Sequence, residues 1–267
     1  PRFQIDMRNT FTFMIFFLAG CLSIGFILAM LLDQGIRGEG VFRGIYLFPM
    51  AISFIVTGVA WRWLLNPGTL EGGATGVNLL FEYLGLDFLK WGWFTDPTVI
   101  HIRPESGLGQ FLQTIGVGFL ASPIFGMSVA ITSLVLAATW QMSGYTMAMY
   151  LAGLRAIPDE LREAARVDGA TEWQITRHVI WPLLRPVTLA AVIILGHISL
   201  KIYDLVVSMT GPGPGFATDV PAYFMWETTF QANRFNRGAA IAIVLLVLVA
   251  VLIVPYLART TTTEDEL

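Results

Sequence analysis

The chain has 267 residues, 55% of them hydrophobic and 13% charged, with a net charge of -3. A soluble domain carries about 25% charged residues, so this composition excludes an ordinary soluble enzyme and points to a polytopic membrane protein, and the mild acidity gives no support to a nucleic-acid partner. The single cysteine, Cys21, excludes an intrachain disulfide, and His101, His178 and His197 lack zinc-motif spacing.

The opening "PRFQIDMRN" is polar and has no signal-peptide pattern. A spanning helix needs about 20 apolar residues. Thr10–Leu32 meets that, as do Phe42–Leu65, Ser128–Leu154, Pro186–Leu205 and Ala239–Leu257, which predicts five spans. "TIGVGFLASPIFGM", Thr114–Met127, is apolar but punctuated by Gly and Pro. It is expected to be an interfacial or re-entrant piece, since irregular backbone at depth needs protein cover. A sixth span is the alternative there.

Lys and Arg in short loops set the orientation. Arg155, Arg162, Arg166, Arg177 and Arg185 follow span three, and Arg37 follows span one, so both loops are placed on the cytoplasmic side. The loops Asn66–Thr114 and Gly211–Arg237 then face outward, and "ARTTTTEDEL" ends inside. Pro1 also falls outside, so a further helix is expected to precede this sequence. In the outer loop, Trp91, Trp93 and Phe94 suit an aromatic belt at the lipid headgroups, and "GPGPG", Gly211–Gly215, reads as a rigid turn.

The block after span three, residues 155–185, is the most charged stretch between spans. Pro158 suits a first helical position, and Asp159 and Glu160 place negative charge in the first turn. Leu161, Ala164 and Ala165 form a narrow apolar stripe, with Arg162, Glu163 and Arg166 off it. Asp168-Gly169 is a stop, because glycine tolerates the left-handed C-terminal position. Thr171 to Gln174 has capping-box spacing and starts a second helix, which Pro182 limits or kinks. Two helices of about nine residues are marginal alone in water and need something to pack on. Either they rest on their own bundle or they dock a soluble partner.

"EAARVDGA", Glu163–Ala170, followed by "WP" at Trp181-Pro182, resembles the EAA loop of inner-membrane subunits of binding-protein-dependent ABC importers. Glu163, Ala164, Ala165, Gly169 and Pro182 match the pattern, and Trp181 stands where the family usually has Leu. The flanks Leu47–Gly68, Trp140–Leu161 and Ser199–Gly215 resemble the carbohydrate-importer, maltose-type branch. The likeness covers nearly the whole chain except about Ile102–Met127, which reads as an outward insertion within an external loop of residues 66–126.

The resemblance implies an all-α permease core of five transmembrane helices, usually preceded by one more. It forms one transmembrane domain, residues 1–267, in the inner membrane. It implies a second permease subunit, most often a sibling chain, two cytoplasmic ATPase subunits that bind ATP and Mg²⁺, and an external solute-binding protein. The block 155–185 would be the coupling loop. Glu163 would meet a basic residue of the ATPase, Ala164, Ala165 and Gly169 would permit close packing, and Asp168 and Pro182 complete the coupling set. The chain's only lysines, Lys90 and Lys201, lie in no phosphate-loop context, so ATP hydrolysis belongs to a partner.

Substrate contacts are expected from spans three and four. A sugar offers hydroxyls for hydrogen bonds and an apolar ring face for aromatic stacking. Trp140, Gln141, Ser143, Gly144 and Met147 lie on span three, and His197, Ile198, Ser199, Ile202 and Tyr203 on span four. The resemblance carries Ser143, Gly144, Met147, Ile198, Ser199 and Ile202 into the pathway by position. Met147 and Ile202 are apolar where a sugar site could use a polar group, so recognition could rest with the paired subunit or the binding protein. Lys201 and Asp204, spaced i, i+3, are either a pair within the span or a snorkelling lysine and a rim carboxylate. A glycerol phosphate or other polyol substrate is the alternative, disfavoured by the lack of Arg within spans three to five. A secondary transporter would want an internal repeat, and none is found.

Overall fold

The computed structural model describes residues 2–69, 72–121 and 126–264, with the side chains of 119, 120 and 257–264 left out. The fold is all-helical apart from one two-residue ladder, β1 (Val99–Ile100) antiparallel to β2 (Met127–Ser128). By contacts the chain divides into two compact units. One holds residues 1–17, 53–138 and 197–267; the other, called the block unit below, holds 18–52 and 139–196.

Helix α1 (Arg2–Asp33) and the stretch Phe235–Tyr256 of α13 (Phe235–Glu264) are each long and apolar enough to cross a membrane. Two bent helix pairs raise the number of such crossings among the described residues to as many as four. Helix α6 (Val129–Arg155) has 27 residues, about 40 Å at 1.5 Å per residue, and no charge before Arg155. It covers the predicted third span, Ser128–Leu154, but its Thr, Ser and Gln side chains dilute its apolar character and it is not among those crossings.

The predicted second span is not one helix. Helix α2 (Glu39–Leu47) runs into a tight turn at Phe48–Ala51, Ile52 is extended, and a new helix, α3 (Phe54–Leu64), starts after it. Pro49 lies at the start of the tight turn, and the Ser53 hydroxyl caps the new helix by accepting the Val56 N–H. In the same unit the bared Ile52 carbonyl accepts the Gln141 side-chain amide at 2.6 Å. The predicted fourth span also ends early. Helix α10 (Arg185–Leu200) stops before Lys201, and the chain restarts as α11 (Asp204–Met209). Lys201 and Asp204 therefore do not share a helix, which corrects the i, i+3 geometry expected of them.

Within Thr114–Met127, α5 (Gly107–Thr114) ends at Thr114, a tight turn covers Gly118–Ala121, and residues 122–125 lie outside the described residues. Among the described residues this stretch holds no helix long enough to span. The C-terminal stretch expected inside reaches residues 265–267, also outside the described ones.

The unit holding both termini is tied by polar contacts at the start of α1. Arg2 pairs with Asp219 at 2.6 Å and with Glu227, and its guanidinium lies 4.5 Å over the rings of Phe216 and Phe224. The Asn9 amide donates to the carbonyls of Phe216 and Asp219. Burial pushes the Asp219 carboxyl up, against the opposing pull of Arg2. Helix α3 packs on α11 through Gly58, where a Cβ would collide with Ser208.

Candidate functional site

The charged block folds as two helices closed on each other by local signals. Helix α7 (Asp159–Val167) carries Asp159 and Glu160 in its first turn. Pro158 is its N-cap, one position earlier than expected, because its ψ of 134° is not helical. The C-terminus closes as a Schellman motif: the Ala170 N–H donates to the Ala165 carbonyl and the Gly169 N–H to the Arg166 carbonyl, both at 3.0 Å. Gly169 takes the left-handed conformation at φ 81°. Thr171 and Gln174 then form a reciprocal capping box at the start of α8 (Glu172–Ile175). Wider turns at Thr176–Ile180 continue into α9 (Trp181–Leu183), which contains Pro182. The run Glu172–Leu183 meets α10 at a bend of 64°. Thr171→Ala is expected to cost about 1 kcal/mol, seen as a melting-midpoint drop of roughly 2–4 °C in detergent.

The block rests on a buried core of its own unit. Ile157, Ile175, Ile180 and Leu184 pack with Ala29 and Leu32 of α1 and with Met147, Tyr150, Leu151 and Leu154 of α6; Ala165 and Ala170 lie against that cluster. Arg162 turns inward and pairs with Asp33 at 2.6 Å, the two side chains only 15% and 12% exposed, and donates to the Leu154 carbonyl at 3.0 Å. This corrects the predicted stripe. Of Leu161, Ala164 and Ala165 only Ala165 is half-buried; Leu161 and Ala164 are exposed, and Arg162 takes the inward position.

The outer face of the block is therefore both charged and apolar. Glu163, Ala164, Asp168 and Gly169 are exposed, and Pro182 is half-buried. Val167 is 87% exposed, Trp173 70% and Leu161 46%. Neither Val167 nor Trp173 was singled out from sequence. The available signal was large apolar residues in a water-facing segment, off the helix's inner face. A cleft of about 360 Å³ lies in the angle between the helices, lined by Ala165, Asp168, Gly169, Ala170, Gln174, Ile175, His178 and Val179. Arg166 makes a two-pronged bond to Glu172 at 2.8 and 3.3 Å across the turn and holds the Glu172 carboxylate below its usual range. The Glu163 carboxylate forms no hydrogen bond or ion pair among the described residues. A short, rigid helix pair that presents unpaired acid and bare apolar side chains can bind a complementary protein surface; it has no catalytic constellation.

The predicted pathway residues fall in both units. In the block unit, Trp140 is exposed, the Ser143 hydroxyl donates to the Trp140 carbonyl at 3.4 Å, and Met147 is wholly buried in the core just described. Gly144 packs directly on the Tyr46 backbone. In the other unit, Ile198, Ile202 and Tyr203 line a cavity of about 130 Å³ with Phe54, Lys201, Asp204 and Leu205. Ser199 is fully buried. The Tyr203 ring stands 6.3 Å from Tyr223 and 6.1 Å from Trp226, which are 5.8 Å from each other. The sequence reading passed over Tyr223 and Trp226, although their i, i+3 spacing in α12 (Pro221–Trp226) places two rings on one helix face.

Residues 22–260 match the family model described as the inner membrane component of binding-protein-dependent transport systems. The chain is 39% identical to a "probable ABC transporter permease protein" of Pyrococcus horikoshii over 258 residues, 96% of this chain and 76% of that one. It is 34% identical to a xylose/arabinose import permease protein of Haloferax volcanii, over 94% of this chain and 68% of that one. Its fold is similar to a chain of a bacterial ABC transporter that imports the acidic polysaccharide alginate, with a TM-score of 0.69, 21% identity, and coverage of 97% of this chain and 80% of that chain.

Proposed function

The chain belongs to the inner-membrane components of binding-protein-dependent transport systems, and from that premise we propose that it is the permease subunit of an ATP-driven carbohydrate importer. It forms half of the translocation pathway beside a second permease subunit, receives its sugar from an external solute-binding protein, and takes its power stroke from cytoplasmic ATPase subunits docked at Glu163–Gly169. The observation that carries the docking assignment is the outer face of the block. Glu163 and Asp168 stand exposed and unpaired there, as the apolar Leu161, Val167 and Trp173 stand exposed, on a helix pair whose angle is fixed by the Schellman turn and the capping box. An isolated helix pair of this length would fray in water, and large apolar side chains as bare as Val167 and Trp173 on a charged segment suit a contact surface.

The carbohydrate assignment is supported by the sugar importer among the relatives and by the ring cluster of Tyr203, Tyr223 and Trp226. Such a cluster offers flat apolar faces with hydroxyl edges, the chemistry that suits a sugar ring. Proteoliposomes holding the permease pair, its ATPase and the sugar-loaded binding protein are expected to import sugar in a manner blocked by vanadate and indifferent to a protonophore. Import that collapses with the proton gradient and ignores vanadate would overturn the ATP-driven reading. Glycerol phosphate outcompeting every sugar on the binding protein would overturn the carbohydrate class.

A further inference from the structure

Two ion pairs join the docking block to one distant segment of its own unit. Arg162 pairs with Asp33, the last residue of α1, and Arg155 pairs at 2.7 Å with Glu39, the first residue of α2. Only the turn 34–38 separates the two acids, and Gly35 and Gly38 hold it in left-handed conformations. We propose that this turn, and with it the end of α1, is a second receiver of the stroke: the paired arginines clamp it to the block, so that block and turn move as one body.

This rests on the reading of the block as the ATPase-docking element. The chain alone would pass a push on the block to α6 and α10, its covalent neighbours. The Arg162–Asp33 pair adds a path between residues 129 apart in sequence. The local energetics of Asp33 show why the pair matters. An acid at a helix C-terminus is disfavoured by the helix dipole, so α1 gains nothing from Asp33 by itself. The compensation comes from Arg162, and both side chains are largely buried. Removing one partner of such a pair leaves a buried, uncompensated charge, which costs far more than an exposed pair would. The Arg155–Glu39 pair is more exposed and contributes little by itself; its value is as a second point, which fixes the turn against rotation. Ala29 and Leu32 extend the same joint into the core, packed with Ile157 and Ile175.

The test uses the full chain assembled with its sibling and ATPase. Arg162→Gln and Asp33→Asn are each expected to insert and to co-purify with the ATPase as the unmodified chain does, while sugar uptake falls roughly tenfold, the loss of a coupling of ordinary size. In a Cys21→Ser background, Asp33→Cys with Arg162→Cys supplies a readout within a single folded protein. Uptake is expected to be low with free thiols, to recover when a reductively cleavable bifunctional thiol reagent joins the two positions, and to fall again on cleavage. Normal uptake by the two neutral variants, or a joined protein that imports no better than the unjoined one, would overturn the clamp. If the ATPase fails to co-purify even with the unmodified chain, the docking reading fails and the clamp fails with it. If co-purification stands and the neutral variants import normally, the clamp alone fails.

Discussion

Glu163→Lys is expected to abolish sugar uptake while the permease still inserts, and to release ATP hydrolysis from control by the sugar-loaded binding protein. Glu163 lies on the exposed face of α7, with Arg166 three residues on and Asp159 four residues back. Reversing its charge alters helix-surface pairs worth about 0.2–0.5 kcal/mol each, too little to unfold the block. A complete loss of import from so small an intramolecular change would place the lesion in the contact with another subunit. Gly169→Pro is the structural counterpart. Proline fixes φ near -65° and lacks an N–H, whereas Gly169 sits at φ 81° and donates to the Arg166 carbonyl. The turn cannot form, and the two helices lose their angle. Gly169→Ala should be graded, since a left-handed non-glycine residue costs about 1–2 kcal/mol. Uptake and ATPase assays on the reconstituted complex read all three, and wild-type import by Glu163→Lys and Gly169→Pro would remove the coupling role.

Gly144→Leu is expected to prevent the block unit from folding. A Cβ at Gly144 would overlap the Tyr46 carbonyl, which is backbone and cannot turn aside. On the facing helix, a Cβ at Gly25 of α1 would press on Thr146 and on the Met147 backbone. Small residues let spanning helices approach this closely. Adding methylenes to a filled core costs about 1–3 kcal/mol and occasionally more, and a backbone clash belongs at the upper end. Gly144→Ala should lower the melting midpoint of the detergent-solubilised protein, and Gly144→Leu should leave little folded protein in the membrane fraction. A Leu variant that expresses and melts like the wild type would show that α2 can move away from α6 at low cost.

The block was legible because its signals are local. The glycine stop and the Thr171–Gln174 box lie within a few residues of the backbone groups they satisfy, and the structure has both. Helices α1, α6 and α13 were legible for a similar reason, as long apolar runs. What sequence could not supply were contacts between distant residues. Arg162 looked like a solvent-facing charge because its partner, Asp33, lies 129 residues away, and helical periodicity carries no term for an ion pair across the fold. Leu161 is placed inward by its i, i+3, i+4 spacing with Ala164 and Ala165, but in the structure it is exposed and Arg162 holds the inward position. The break at Ile52 escaped because "FPMAISFIV" is apolar apart from Ser53, and the Pro49 and Ser53 signals were outweighed by its hydropathy. Hydropathy measures burial and is blind to a carbonyl that needs a donor. The family likeness pointed to the coupling and pathway positions, but not to Tyr223, Trp226 or the clamp.

The bond from the Gln141 amide to the Ile52 carbonyl bears on attempts to redesign this protein. Gln141 stands on α6 among Trp140, Ser143, Gly144 and Met147, the positions predicted for the pathway. Its amide nitrogen is already committed to a backbone group bared by the bend. Replacement by an apolar residue would leave that carbonyl without its partner, at a cost of about 1–3 kcal/mol where water does not take its place. On the proposed reading of the ring cluster as a sugar contact, libraries aimed at new cargo would leave position 141 fixed and diversify Tyr203, Tyr223 and Trp226, whose rings lie against one another.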